Sequence, residues 1–386
     1  YQRARFAAPH VSAIWAWGNP SKQRGMIYNN FMFSVNRLAN FNRDVVVSGR
    51  GMGMAETICQ KTNGLAEESL YDTPWDDVEI GWLSILGYEG YLIDPHVDSL
   101  ASNLFEKYAW MPAIDFTDGT LSVSESGTYD QYTLSWASNI SNQWYIGVSL
   151  NIPTLSYTKH VSHRETDRIN SAELKSMYHL SGLGVSGSIG LIYRPIQALR
   201  IGASFETPTM MSLSMQTEGD MYSTLAPEDI LTPESGIIST EMVTPLRTSV
   251  SVAGQLGSIG LLALQYDYAH AVEMEDVHTL RIGAEVQACR GFFLNAGYVY
   301  ESSFLNEDPV WQLAYNDIRT DMDYRYTISS QYASAGLGYR SDMVVAQVAY
   351  QYRWQTLHQY ATEMQMTAMD VHADTHRIVA TLAWRF

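Results

Sequence analysis

The sequence predicts an all-β chain, a transmembrane antiparallel β-barrel of fourteen strands. Three observations carry that expectation. Run after run alternates an apolar and a polar side, the connections alternate between short and long, and no stretch reaches the roughly 20 apolar residues that a spanning helix requires. Ser181–Pro208 shows the unit plainly. Leu199, Ile201, Ala203 and Phe205 fall on one face and Arg200, Gly202, Ser204 and Glu206 on the other, with Tyr193–Gln197 as the turn and Pro195 withdrawing a donor where the ladder ends.

In chain order, period-2 runs and turn signals place strands at 10–18, 26–48, 119–137, 143–158, 176–194, 199–217, 237–256, 259–272, 279–289, 292–304, 326–340, 343–360 and 374–386. Short turns fall at Gly18–Gly25, Ser138–Gln143, Arg194–Leu199, Gln255–Ile259, Ala288–Phe292 and Arg340–Met343, with longer loops between them. Short turns on one rim and long loops on the other are the plan of bacterial outer-membrane barrels, whose strand number is even. Thirteen visible strands plus one missing N-terminal strand make fourteen, and a start at Tyr1-Gln2-Arg3 reads as the middle of something. A soluble β-sandwich would alternate as well; the length, the loop asymmetry and a terminal strand ending Trp384-Arg385-Phe386 favour the barrel.

Composition narrows the class. The 386 residues contain no linker or low-complexity tract, so 1–386 reads as a single barrel domain. Tyr and Trp, at 25 and 10 against 11 Phe, are the rings that favour a membrane-water interface. A net charge of −17 excludes nucleic acid and a polybasic membrane-surface mode. Cys59 and Cys289 form no disulfide framework and no zinc-type spacing, and the topology puts them on opposite rims.

One insertion, residues 50–118, interrupts the pattern as a long extracellular loop. It holds thirteen acidic against three basic residues, so most of the excess charge sits on the long-loop rim. Met54–Leu70 and Val78–Leu92 have helical spacing, the second carrying Ile80, Leu83, Ile85, Leu86 and Tyr88. Either the loop packs on itself, or Trp82, Leu86, Tyr88 and Tyr91 form a greasy capture site at the barrel mouth.

Whole hairpins carry a likeness to a known family. GLIYRPIQALRIGASFETPT, the later Thr244-Pro245-Leu246-Arg247 with SVSVAGQLGSIGLLALQYDYA, and LRIGAEVQACRGFFLNAGYVYESS resemble the FadL/TodX family of outer-membrane transporters. NFMFSVNRLANFNRDVVVSG and GYLIDP are similar to its branch in the Bacteroidota, which is PorV-related. The resemblance covers most of the chain from Met26 and implies a fourteen-stranded barrel in the bacterial outer membrane. Its expected traffic is passive uptake of hydrophobic small molecules, long-chain fatty acid-like. The alternative it implies is a non-transporting barrel that serves as a partner subunit of a protein secretion or assembly machine. The family's N-terminal hatch carries Asn-Pro-Ala; Asn19-Pro20 is followed here by Ser21, so the hatch is absent from this sequence. The family also kinks a strand inward to open a lateral exit. Met26–Ser48 is too long for one crossing and its alternation breaks at Asn36, Asn40 and Asn42, which is either a gate kink or an arm projecting past the membrane.

Several constellations are weighed for chemistry. Asp370, His372, Asp374 and His376 alternate on one face with metal-ligand types but lead into a lipid-facing strand, so they are expected in a solvated loop with no metal. Gly182-Leu183-Gly184-Val185-Ser186-Gly187 lacks the residues of a phosphate loop or nucleophile elbow. Arg200, Glu206, Arg281, Glu285, Arg353 and Arg377 fall on lumen-facing positions, where charges are paired or hydrated; they form a structural network or offer a guanidinium to a ligand carboxylate. No catalytic triad or carboxylate pair stands out, so no enzyme and no cofactor is expected. The expected partners are outer-membrane lipid, a hydrophobic ligand and other outer-membrane or secretion and assembly subunits.

Overall fold

The computed structural model describes residues 10–384 apart from 20, 22–23, 72–74, 78, 227, 229, 233–234, 258, 271–275, 304–317 and 362–368. The expected terminal signal at Arg385-Phe386 and the Tyr1-Gln2-Arg3 start lie outside the described residues. In order the elements are β1 (His10–Gly18), β2 (Met26–Asn40), β3 (Arg43–Arg50), α1 (Met54–Thr62), a 3-10 turn (Glu67–Leu70), α2 (Trp82–Glu89), β4 (Ile93–Val97), α3 (Leu104–Lys107) and β5 (Tyr108–Pro112). Then follow β6 (Asp118–Ile140), β7 (Trp144–Thr166), β8 (Ser171–Ile196), β9 (Leu199–Glu206), β10 (Met210–Ser223), β11 (Ile230–Leu231), β12 (Gly236–Val243) and β13 (Leu246–Leu256). The last six are β14 (Gly260–His270), β15 (Val277–Cys289), β16 (Phe292–Ser302), β17 (Tyr324–Arg340), β18 (Val344–Tyr360) and β19 (Met369–Trp384).

Apart from the hairpin β4–β5, these strands form one antiparallel sheet. β2 and β3 share β6 as a neighbour, β9 and β10 share β8, and β12 and β13 continue against β10 and β9, so each of these is one crossing in two pieces. Among the described residues the crossings number thirteen, as the alternation predicts. β1 and β19 therefore run in the same direction, and no pairing joins them among the described residues; an antiparallel ring takes an even number. The sheet curls into a barrel wall. Arg325 at the start of β17 reaches Glu125 on β6 at 3.0 Å, and Arg43 on β3 donates to Gln359 on β18 at 3.1 Å.

Sidedness follows the pleat. On β7, Trp144, Val148, Leu150 and Ile152 stand outward at 38–44% exposure, while the inward Asn151 is 3% exposed. Inward hydroxyls bond between strands, Ser149 with Ser188 at 2.6 Å and Thr133 to Asn151 at 3.0 Å. An apolar outer band around a hydrogen-bonded interior is the arrangement that lipid requires and a sandwich forbids.

β6, β7 and β8 hold 23, 23 and 26 residues, more than twice the 9–11 of one crossing, and so project above the lipid band. Prolines interrupt the ladder near one level of this wall. Pairing of β7 with β8 skips Ile152 and Pro153, β9 gives way to β10 at Thr207-Pro208-Thr209, and β12 to β13 at Thr244-Pro245. The freed groups are re-satisfied locally, Thr207 N–H by the Gly187 carbonyl at 2.9 Å and Thr244 N–H by the Thr209 carbonyl at 3.0 Å. The interruption changes parity: Ser204 and Glu206 face inward below it, Met211 and Leu213 above it.

A second break joins β2 to β3 opposite Gly127, whose φ is +128° and whose added Cβ would meet the Ser156 carbonyl oxygen at 2.0 Å. Only glycine fits there. Gly127→Val should cost about 1–3 kcal/mol through strain alone, read as a lower temperature at which the folded band is lost on SDS gels; an unchanged temperature would contradict this geometry.

Candidate functional site

The insertion is a cap seated on the mouth. Its helices bury Met54, Ile58, Leu83, Ile85 and Leu86 against one another, and against Ala172 and Leu174 of β8 and Met221 of β10. Those wall residues point inward at the extracellular end, so cap and wall share one apolar cluster. Trp110 Nε1 donates to the Leu65 carbonyl and Trp82 Nε1 to the Trp75 carbonyl, both at 3.0 Å, so the buried indoles are satisfied. The cap is tied to the wall where the Met54 N–H, at the positive end of α1, donates to the Glu165 carboxylate at 3.0 Å. A second apolar patch joins Met52 to Leu121, Val123, Val161 and Ala361.

A charged layer accompanies this apolar roof. Glu125 accepts from Arg325 at 3.0 Å, Arg43 at 3.2 Å and the Tyr157 hydroxyl at 2.9 Å. Lys159 Nζ stands 2.7 Å from Asp321 Oδ2 and 2.6 Å from Asp323 Oδ1, and Arg319 reaches Asp321 at 2.9 Å. Among the described residues four cations meet three carboxylates. Removing one partner of such a buried pair costs about 3–5 kcal/mol, so the layer is rigid as long as it is complete. Burial alone would raise the Glu125 carboxyl, but the guanidinium groups of Arg325 and Arg43 outweigh it and hold the group below the usual carboxylate range. Burial would lower the Lys159 ammonium, and Asp321 and Asp323 reverse that and raise it. Asp321 is held low against its burial by Lys159 and Arg319.

The structure places the six sequence-nominated charges inward but does not gather them into one site. Asn151 donates to Glu206 at 3.3 Å, Arg281 pairs with Asp267 at 2.8 Å, and Arg340 approaches Glu285 at 3.4 Å while lying over the Phe293 ring. Arg353 lies 5.1 Å from the Tyr332 ring centroid and donates to Ser330 at 3.4 Å. Arg200 and Arg377 carry no ion pair among the described residues, and they sit opposite Ala253 and Gln351. Network and uncommitted arginines coexist.

The capture residues need correction. Trp82 and Leu86 are 4% and 0% exposed, inside the cap core rather than on its surface; Tyr88 is half-buried and donates to Glu67 at 3.2 Å, and only Tyr91 is exposed. α2 is apolar nearly all round, so it packs on every side. The exposed apolar surface lies instead on the β4–β5 hairpin, where Val97, Leu100, Leu104, Phe105 and Met111 range from 55 to 93% exposed. Sequence reasoning missed that hairpin because its apolar residues follow neither period.

Around Asn36, Asn40 and Asn42 the strand does break. Register slips between Arg37 and Ala39, β2 ends at Asn40, and the Asn42 N–H bonds the Asn40 side chain at 3.1 Å. Phe41 turns to meet the Tyr157 ring at 5.2 Å, and Arg37 clamps Asp130 through two bonds at 2.8 and 3.1 Å. Both pieces stay paired with β6.

Asp370, His372, Asp374 and His376 lie in β19 and not in a loop, pointing outward; Tyr350 bonds His376 at 2.6 Å and His358 meets Asp370 at 3.1 Å. Tyr266 with His278 at 2.7 Å repeats the pairing on β14 and β15, in an outward aromatic row. Among the described residues no group of His, Cys, Asp and Glu is placed to hold a metal. A trough of about 750 Å³ on the projecting strands is lined by Ser122, Ser124, His160, Lys175, Met177 and Glu218, whose side chains face away from the bore.

No protein-family model matches the chain, and no curated protein matches it. Its structural neighbours are FadL- and TodX-type proteins. A Pseudomonas aeruginosa FadL homologue superposes with a TM-score of 0.45 at 13% identity, over 71% of this chain and 78% of that one. The CymD monoaromatic hydrocarbon channel gives 0.46 at 12% identity over 98% and 87%, and the P. putida toluene transporter TodX 0.45 at 12% over 98% and 88%. At that similarity the likeness itself carries no inference. The sheet does: an antiparallel wall with an apolar outer band, short turns on one rim and long projections on the other is built for the bacterial outer membrane.

The charged layer sets a pH window. Glu125 and Asp321 titrate below their unfolded values, so their contribution is present at neutral pH and is lost as pH falls below about 4. Lys159 is raised, so its contribution persists until pH exceeds about 10.4. Emission from Trp75, Trp82 and Trp110 should stay constant between those limits and shift outside them; a midpoint near neutrality would contradict the assignment.

Proposed function

We propose that this barrel admits hydrophobic small molecules passively across the outer membrane. One observation carries the reading: the inward positions of the wall, polar along the bore, become apolar at the mouth, where Leu121, Val123, Val161, Leu174, Met211 and Leu213 face the interior. A pore for ions or sugars would keep that entrance wet. Here a greasy compound passes from the exposed β4–β5 hairpin to the apolar residues of the mouth, and then meets the charged layer. Arg200 and Arg377 in the bore, which carry no ion pair among the described residues, suit a ligand that ends in a carboxylate, hence a long-chain fatty acid-like molecule rather than a plain hydrocarbon. The bend at Asn36–Asn42 is the place for a lateral exit. No step requires a cofactor or covalent chemistry.

One feature favours a second reading. The cap packs on the wall at the mouth and leaves an apolar hairpin exposed, which suits a partner subunit of a secretion or assembly machine, as in the PorV-related branch of the Bacteroidota. Uptake of radiolabelled oleate and toluene by cells with and without the protein separates the two. Saturable uptake that needs no energy source, stronger for oleate, is expected. Equal uptake in both cell types, with another outer-membrane chain co-purifying stoichiometrically, would overturn transport.

A further inference from the structure

We propose that the segment Ile318–Asp323, which packs against the cap through Met322, is a gate across the bore, and that Lys159 is its latch. The segment leads into β17 at Tyr324, the eleventh crossing, yet its contacts lie on β7, β8, β10 and β12, the fourth to seventh. Thr320 donates to the Ser176 hydroxyl at 2.9 Å, Arg319 stacks 4.8 Å above the Tyr178 ring, and Asp321 and Asp323 converge on Lys159. Its path crosses the interior.

Two inward glycines provide the seat. A Cβ at Gly219 would stand 2.7 Å from Thr320 Oγ1, and one at Gly236 would stand 2.7 Å from Ile318 Cδ1. The wall is thinned where the segment lies against it. Thr320, Asp321, Met322 and Asp323 are all buried, although the segment belongs to no ladder. Its hold on the wall is by side chains, so it can detach without unzipping a strand. Met322 enters the apolar cluster shared with Leu174 and Met221, so an apolar molecule in that cluster would compete with Met322 for the same contacts. Entry of ligand and release of the segment are thereby coupled. The inference rests on the uptake reading only for what passes; closure is a property of the bore.

The test is ion current through single barrels in planar bilayers. Cys289→Ser removes the exposed thiol, while Cys59 stays buried with its thiol pushed up to about 12. In that background Lys159→Ala and, separately, Gly219→Val should each raise the open fraction by about tenfold or more. Adding Ser176→Cys with Thr320→Cys to Lys159→Ala puts two thiols where hydroxyls now touch, within disulfide reach. Oxidation should return the current to the level of the unsubstituted barrel, and reduction should release it. Current that ignores oxidation, or that is the same in Lys159→Ala and Gly219→Val as in the parent, overturns the gate. Oleate uptake that fails while current responds would sink the ligand and leave the gate.

Discussion

Lipid offers no partner for a peptide N–H or carbonyl, and every other feature of this chain answers to that. A sheet can stand in hydrocarbon only if its ladder is unbroken at that depth, so the crossings pair neighbour to neighbour and register slips gather at the rims. The same constraint fixes sidedness, because the pleat sends successive residues to opposite solvents. Leu262 and Leu264 meet lipid while Gln265 and Asp267 face in and bond each other at 2.6 Å.

Where the wall rises above the lipid the constraint lapses, and the architecture changes with it. Water can serve the outer face there, so prolines interrupt the ladder and the inward face becomes free to turn apolar. The cap occupies that freedom. Its own core is small, and it borrows Ala172, Leu174 and Met221 from the wall to complete it. Beneath and beside that roof, buried charges are tolerable only because each finds an opposite, Lys159 between two aspartates and Glu125 between two arginines. Greasy roof and paired charges together narrow the mouth through few, nameable contacts.

The crossings were legible in the sequence where one neighbour is lipid. Trp144 to Ile152 and Val344 to Tyr352 alternate because their two faces meet different solvents. The alternation reads as strand only to 158 in β7 and from 176 in β8, because beyond those points the contrast fades: His160 and Ser162 look outward to water, while Lys159, His163 and Glu165 look inward to other polar groups. Period 2 persists in the backbone and vanishes from the hydropathy. The splits at Pro208 and Pro245 were hidden likewise, since a parity change reads as one noisy strand. Of the candidate site, the inward charges were legible from alternation alone. The partners Asp321 and Asp323 were not, for they arrive on an irregular segment from across the barrel, and no periodicity announces a chain that folds inward.

The central claim is that these strands separate lipid outside from water inside. Spin labels placed singly at Leu262, Leu264, Val348 and Tyr350, and at Gln265, Gln347 and Gln351, in the barrel reconstituted into bilayers test it most directly. The first set should collide with dissolved oxygen and be shielded from a water-soluble nickel chelate, and the second set the reverse, alternating residue by residue along β14 and β18. Equal accessibility of neighbouring positions, or the opposite phase, would contradict it.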